Sequence, residues 1–252
     1  MKFMTIREAI NEQLKSIKNR SPREQISFFW EYYGIKTICL LLALAAVISL
    51  IVSIATKKEY AFTGVFFGAV AQESAEPYLS SFGAAAGIDP EKYELSAQCH
   101  LDIRMDQTVT QEIYTSMETF TAMVAAKSVD CFAGNQDLFL YYAYMEYATD
   151  LRTVLTPEEL SRLAPYLYYI DGELIEQQES SDEGYADAYT QRPDPTKPEL
   201  MQRPIPVAIS LDAATDAFKE AYRFGEDALI GICASSQHAQ NALAFLHYCI
   251  ES

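Results

Sequence analysis

The sequence predicts an α/β protein: N-terminal helices including one transmembrane helix, then a mostly parallel sheet with helices on both faces. Three observations point there. Residues 37–56, "TICLLLALAAVISLIVSIAT", form an uncharged run of twenty residues. Downstream, β-type apolar runs alternate with stretches of helical periodicity. Half of the chain is hydrophobic, enough for a substantial core.

The apolar run comes first because it divides the chain. As a helix, twenty residues rise about 30 Å, the thickness of a bilayer's hydrocarbon core. Lys36 and Lys57-Lys58 bound the run, and aromatic residues flank it: Phe28, Phe29, Trp30, Tyr32 and Tyr33 before, Tyr60 and Phe62 after. Such rings settle at membrane interfaces. A cleaved signal peptide fits poorly, because the leader is long and the "AVA" at Ala69–Ala71 lies well past the lysines. Cys39 lies at the wrong end of the run for a lipoprotein anchor. The expectation is a retained helix over 35–58.

Charge orients it. Residues 1–36 carry seven Lys/Arg against four Asp/Glu, whereas 59–252 carry ten against thirty-one. The excess of positive charge before the span places the N-terminus in the cytoplasm and 59–252 outside, in a cell-membrane, single-pass arrangement. An acidic outer part lacks the basic footprint that nucleic acid requires. The partners expected are the lipid bilayer and a membrane or envelope protein, with any small ligand left open.

Residues 1–34 read as an amphipathic helix and a juxtamembrane helix. Ile6, Ile10, Leu14 and Ile17 mark one apolar face, and "SPRE" at 21–24 restarts the helix with a capping box. The first helix reads either as a surface that binds a partner or the membrane, or as a solvated tail.

In the outer part, strands are expected at 61–70, 93–103, 129–134, 168–175 (around a turn at Asp171-Gly172), 204–211 and 228–236. Helices are expected near 72–86, 110–128, 136–148, 156–167, 212–222 and 238–251, with a polar loop over 176–203. Ile113, Met117, Phe120 and Val124 define a core-facing stripe, and Thr156 to Glu159 reads as a capping box with Pro157 in the first turn. Strands alternating with helices imply crossover units. Cys99, Cys131, Cys233 and Cys249 show no CxxC pair, and three of them lie in apolar runs. They read as buried thiols more readily than as a disulfide framework.

In parallel α/β sheets, ligands sit beyond the carboxyl ends of strands. Gly134, Asn135 and Gln136 are expected there, with Gly68 after the first strand and Ser235-Ser236 before the last helix. The same residues are accounted for by a turn and a helix cap. The tyrosines Tyr144, Tyr147 and Tyr169 are interface candidates, with core packing as the competing reading. No catalytic residues, cofactor or metal are expected: His100, His238 and His247 have no zinc-site spacing, and no P-loop or nucleophile elbow occurs. His100 and Asp102 form a pair too small to make a site.

"VDCFAGNQDLFLYYAYMEYATDLRTVL" resembles the third strand and following helix of type 2 periplasmic (extracellular) solute-binding proteins. "PIPVAISL" and "LIGICASSQHAQNALAFLHYCIE" resemble that fold's returning strands and closing helix. The belt "FFWEYYGIKT" is similar to an uncharacterised single-span family of low-GC Gram-positive bacteria. Residues 150–204 are too few for a second lobe, so the resemblance implies a single solute-binding-protein-like lobe. It would serve as a ligand-binding or protein-interaction module. The alternative is a structural or scaffolding subunit of an envelope complex without a small ligand.

Overall fold

The computed structural model describes residues 22–55, 58–103, 110–179 and 192–251. The chain divides into two compact units, Met1–Lys57 and Lys58–Ser252. In the first, α1 runs unbroken over Pro22–Ala55. Gly34–Val52 is long and apolar enough to cross a membrane, and none of that window is buried. The expected amphipathic helix carrying Ile6, Ile10, Leu14 and Ile17 and the cap at Ser21 lie outside the described residues.

The second unit is α/β. Its elements are β1 (Glu59–Phe66), β2 (Val70–Ala71), α2 (Ala75–Ala85), β3 (Tyr93–Gln98), α3 (Gln111–Ala125), β4 (Cys131–Asn135), α4 (Gln136–Tyr144), α5 (Pro157–Leu163), β5 (Leu167–Asp171), α6 (Gly172–Glu179), β6 (Pro204–Ser210), α7 (Asp216–Ala221), β7 (Tyr222–Arg223), β8 (Ala228–Ile232) and α8 (Ala239–Glu251). The main sheet has six strands in the order β3-β1-β4-β8-β6-β5, and β2 pairs separately with β7.

The expected mostly parallel sheet is not what forms. β1 pairs in parallel with β3 and β4, but β4 with β8, β8 with β6, and β6 with β5 are antiparallel. The sheet is therefore mixed and mostly antiparallel. Connection length explains part of this. The helices between β1 and β3 and between β3 and β4 have 11 and 15 residues, about 16 and 22 Å, enough to carry the chain back along a strand. Between β6 and β8, a 3-10 turn at Leu211–Ala213 precedes a helix of only 6 residues. That is about 9 Å, too short to return along the 7-residue β6, which extends about 23 Å. β8 thus starts at the sheet end where β6 stops.

Helices cover both faces, as expected. Alternation along the strands sends Phe62, Phe66, Cys131, Ala133, Ile230 and Ile232 to one face, where they pack with α2, α7 and α8. Val65, Phe67, Phe132 and Leu229 go to the other, with α3 and α4. Aromatic ring pairs bind each layer: Phe62 meets Phe245 at 4.3 Å, and Phe132 stacks on Phe139 at 4.5 Å.

Two elements depart from expectation locally. The stretch 168–175 does not remain extended around a turn; β5 ends at Asp171 and α6 begins at Gly172. The expected polar loop 176–203 thereby starts later, and part of it lies outside the described residues. The capping box at Thr156 forms as expected, with Thr156 Oγ1 accepting from Glu159 N–H and the Glu159 carboxylate accepting from Thr156 N–H at 2.7 Å.

Candidate functional site

β1, β3, β4 and β6 run one way, and β5 and β8 the other. One end of the sheet therefore gathers the carboxyl ends of β1, β4 and β6 with the start of β8. Gly68, Gly134, Asn135 and Gln136 all lie there. Gly68 adopts φ 66°, a left-handed turn that glycine tolerates without strain. Gly134 lets Phe67 approach, since a Cβ would stand 3.1 Å from the Phe67 Cβ. Asn135 is a helix cap: its Oδ1 accepts from Leu138 N–H at 2.9 Å. Gln136 is the first residue of α4.

At the same end, an open cavity of about 320 Å³ is bounded by Leu211, Phe218, Tyr222 and Phe224, with Arg223, Glu226 and Asp227 among its polar lining. None of the four glycine-turn residues lines it. Its apolar residues come from α7 and the segment around β7, where Phe218 and Phe224 stack at 6.0 Å. Burial pushes the Tyr222 phenol far above its ordinary value, keeping it neutral. Lys219 Nζ is engaged by the Asp212 carbonyl at 3.0 Å. Among the described residues the lining contains no Ser, Thr, Cys or His. What it offers is apolar contact and charge of both signs, which suits recognition of a small amphipathic molecule. The aromatic cluster Phe218-Tyr222-Phe224 was not singled out by sequence, although its spacing of 4 and 2 around Lys219 and Arg223 was there to be read.

Ser235 and Ser236 sit elsewhere. Because β8 is antiparallel to β4, pairing Cys131 with Ile232 and Asn135 with Ala228, the residues after β8 lie at the opposite end of the sheet. Ser236 there donates to the buried carboxylate of Asp130 at 2.6 Å, and Ser235 donates to the Val124 carbonyl at 2.9 Å. Asp130 is only 2% exposed. It also accepts from Thr63 N–H at 2.7 Å, and His238 Nδ1 stands 3.3 Å from its Oδ1. Serine, histidine and aspartate thus meet, but not in the wiring of a nucleophilic triad. In a triad the imidazole lies between the hydroxyl and the carboxylate. Here the carboxylate takes both, so the Ser236 proton is directed away from the imidazole. The cluster ties β1, β4 and the loop into α8 together. Asp130 and His238 escaped selection by sequence; the signal was an acid set against the apolar run "VDCFAG".

The tyrosine candidates form no surface cluster. Tyr144 is 1% exposed, so it belongs to the core rather than to an interface: its hydroxyl oxygen accepts from Asp171 N–H at 3.2 Å. Tyr147 is half-buried and stacks on Tyr142 at 5.6 Å. Tyr169 is half-buried, with its N–H donated to the Pro195 carbonyl at 2.9 Å. His100 and Asp102 both follow the end of β3 and are exposed. Among the described residues, no group of three or more His, Cys, Asp or Glu is placed to hold a metal ion. Cys99, Cys131, Cys233 and Cys249 are free thiols, three of them buried.

Comparison of the chain with protein-family models, with curated proteins and with solved structures finds no match.

Proposed function

We propose that this chain is a single-pass membrane protein whose acidic C-terminal domain faces outward and acts as a binding module, a one-lobe relative of extracellular solute-binding proteins. The observation that carries the reading is α1: Gly34–Val52 presents an apolar surface with none of that window buried in protein, and such a surface needs lipid around it. Seven Lys/Arg on one side of it against an acidic domain on the other support the orientation. The cavity between the carboxyl end of β6 and the start of β8 is the place for a ligand, because its aromatic lining and mixed charges provide contact.

The test has two arms. Alkaline carbonate extraction and protease treatment of intact cells address the membrane: the chain should stay in the pellet, and the domain should be cleaved while residues 1–33 survive. Thermal-shift screening of the full chain in lipid nanodiscs, with sugars, amino acids, peptides and anions, addresses binding. A ligand of the native state raises the melting temperature. Extraction into the soluble fraction sinks the membrane reading. Absence of any shift across the four classes favours the scaffolding alternative.

A further inference from the structure

A second open cavity, about 340 Å³, lies at the sheet end opposite the first. Its floor is aliphatic: Ile170 on β5, Ile175 on α6, Ile205 and Val207 on β6. Its rim is the segment from Glu146 to Thr153, which follows α4. Among the described residues only two charged side chains line it, Glu146 and Asp150, and both are acidic.

These two carboxylates are not equivalent. Arg152 grips Asp150, with Nη2 at 2.7 Å and Nε at 2.9 Å, so its charge is neutralised within the protein. Glu146 is exposed and forms no ion pair among the described residues. Among the described residues the cavity therefore carries one unbalanced negative charge beside a hydrocarbon floor, and no cation.

The rim is also built rather than loose. Glu146 terminates α4 in the left-handed conformation, φ 61°, with its N–H on the Ala143 carbonyl and Tyr147 N–H on the Tyr142 carbonyl. Glycine is the usual residue at such a helix stop, and a glutamate there costs about 1 kcal/mol. The following residues are pinned to β8: Thr149 N–H to the Ile232 carbonyl at 2.9 Å, and Ala234 N–H to the Tyr147 carbonyl at 2.9 Å. The backbone thus holds an unpaired carboxylate at the mouth of an aliphatic cavity in a conformation its side chain disfavours. The same left-handed stop ends α3 at Lys127, so the conformation fixes the rim and the cavity's lining carries the argument.

We propose that this cavity binds a small aliphatic ammonium, its branched hydrocarbon body on Ile170, Ile175, Ile205 and Val207 and its cationic head facing Glu146. Among the described residues the lining contains no aromatic ring, so the charge is recognised by the carboxylate and not by a π-face. The floor matches a branched alkyl chain in kind. The proposal is independent of the cavity at the other end of the sheet.

The probe is 3-methylbutylammonium, titrated calorimetrically into the full chain in nanodiscs and into empty nanodiscs. 3-Methylbutanol and 3-methylbutanoate, which share its body, serve as comparators. The ammonium should bind saturably, with an affinity on the order of millimolar for so few atoms, and at least about tenfold tighter than either comparator. Glu146→Gln should bring it down to the alcohol's affinity while leaving the alcohol unchanged. Glu146→Gly, which suits the left-handed backbone, should do the same and guards against a Gln variant that fails to fold. Binding no tighter than the alcohol, or unaltered in both variants, overturns the proposal. So does a heat no larger than that of empty nanodiscs. Binding of a basic apolar peptide without binding of the ammonium would overturn it in favour of a protein partner.

Discussion

Ser236 and Asp130 are 106 residues apart in sequence and 2.6 Å apart in space, hydroxyl to buried carboxylate. That hydrogen bond joins the segment after β8 to the start of β4. It leaves the carboxylate of Asp130 compensated by Thr63 N–H and His238 as well. A buried charge with its partners stripped is costly, and removing the charge strands its donors.

The first prediction follows from this cluster. Asp130→Ala should destabilise the domain by about 2–4 kcal/mol and Ser236→Ala by about 1–2 kcal/mol. Because the two share one interaction, the double variant should lose less than the sum. Chemical denaturation of the chain in nanodiscs, followed by near-UV signal of its tyrosines, measures all three. Strict additivity would show that the two groups act independently.

Asp171 predicts an acid limb in stability. Burial opposes its ionisation, but the N–H groups of Gln202, Arg203 and Glu173 donate to the carboxylate, and Arg203 lies near; together they hold its pKa below the ordinary aspartate value. A carboxyl depressed in the folded state contributes stability that is full above the unfolded value, about 3.9. It is lost as pH falls through the folded value. Melting temperature should therefore drop below about pH 4, and Asp171→Asn should flatten that limb while lowering stability at neutral pH. An unchanged limb in the variant would assign the acid sensitivity to other carboxylates.

Gly231 predicts a packing failure. A Cβ on this residue would stand 2.6 Å from the Val207 carbonyl oxygen and 2.6 Å from the Phe139 ring. The ring is a side chain that can shift, but the carbonyl belongs to the backbone of the neighbouring strand β6. Gly231→Ala should cost about 2–4 kcal/mol, read as a fall in denaturation midpoint without a change in slope. Gly225→Ala, with nothing within 4 Å of the added carbon, is the control and should be nearly neutral.

The cysteines predict chemical silence. Burial pushes the Cys99 thiol up to about 11 and those of Cys131, Cys233 and Cys249 upward as well. The thiolate is the reactive form. Alkylation at pH 8 should leave these four unmodified in the native chain and reach them once denaturant is added, as peptide mass spectrometry would show. Fast labelling of Cys131 or Cys249 in the native state would contradict the packing around them.

Elements governed by local chemistry were legible without the fold. Thr156, Pro157 and Glu159 specify a helix start by contacts three residues apart, and the cap forms. Asn135 caps α4 for the same reason. The stretch 110–128 was readable as helix because Ile113, Phe120 and Val124 lie on one stripe, and all three are buried. The long apolar helix was readable because length and absence of charge are properties of a single segment.

What sequence alone could settle about this protein was the existence and type of such segments, the uncharged helix among them, since each is decided by neighbours within a few residues. Strand direction was decided only in three dimensions. The stretch read as one helix near 212–222 breaks where Ser210 caps a 3-10 turn and Thr215 caps a new helix, leaving 6 residues that cannot span the sheet. β8 then enters antiparallel and carries Ser235 and Ser236 to the far end, onto Asp130. A few ångströms of missing helix, not any change in hydrophobic pattern, separated the two architectures, because pattern records which face is buried and is silent about which way a strand runs.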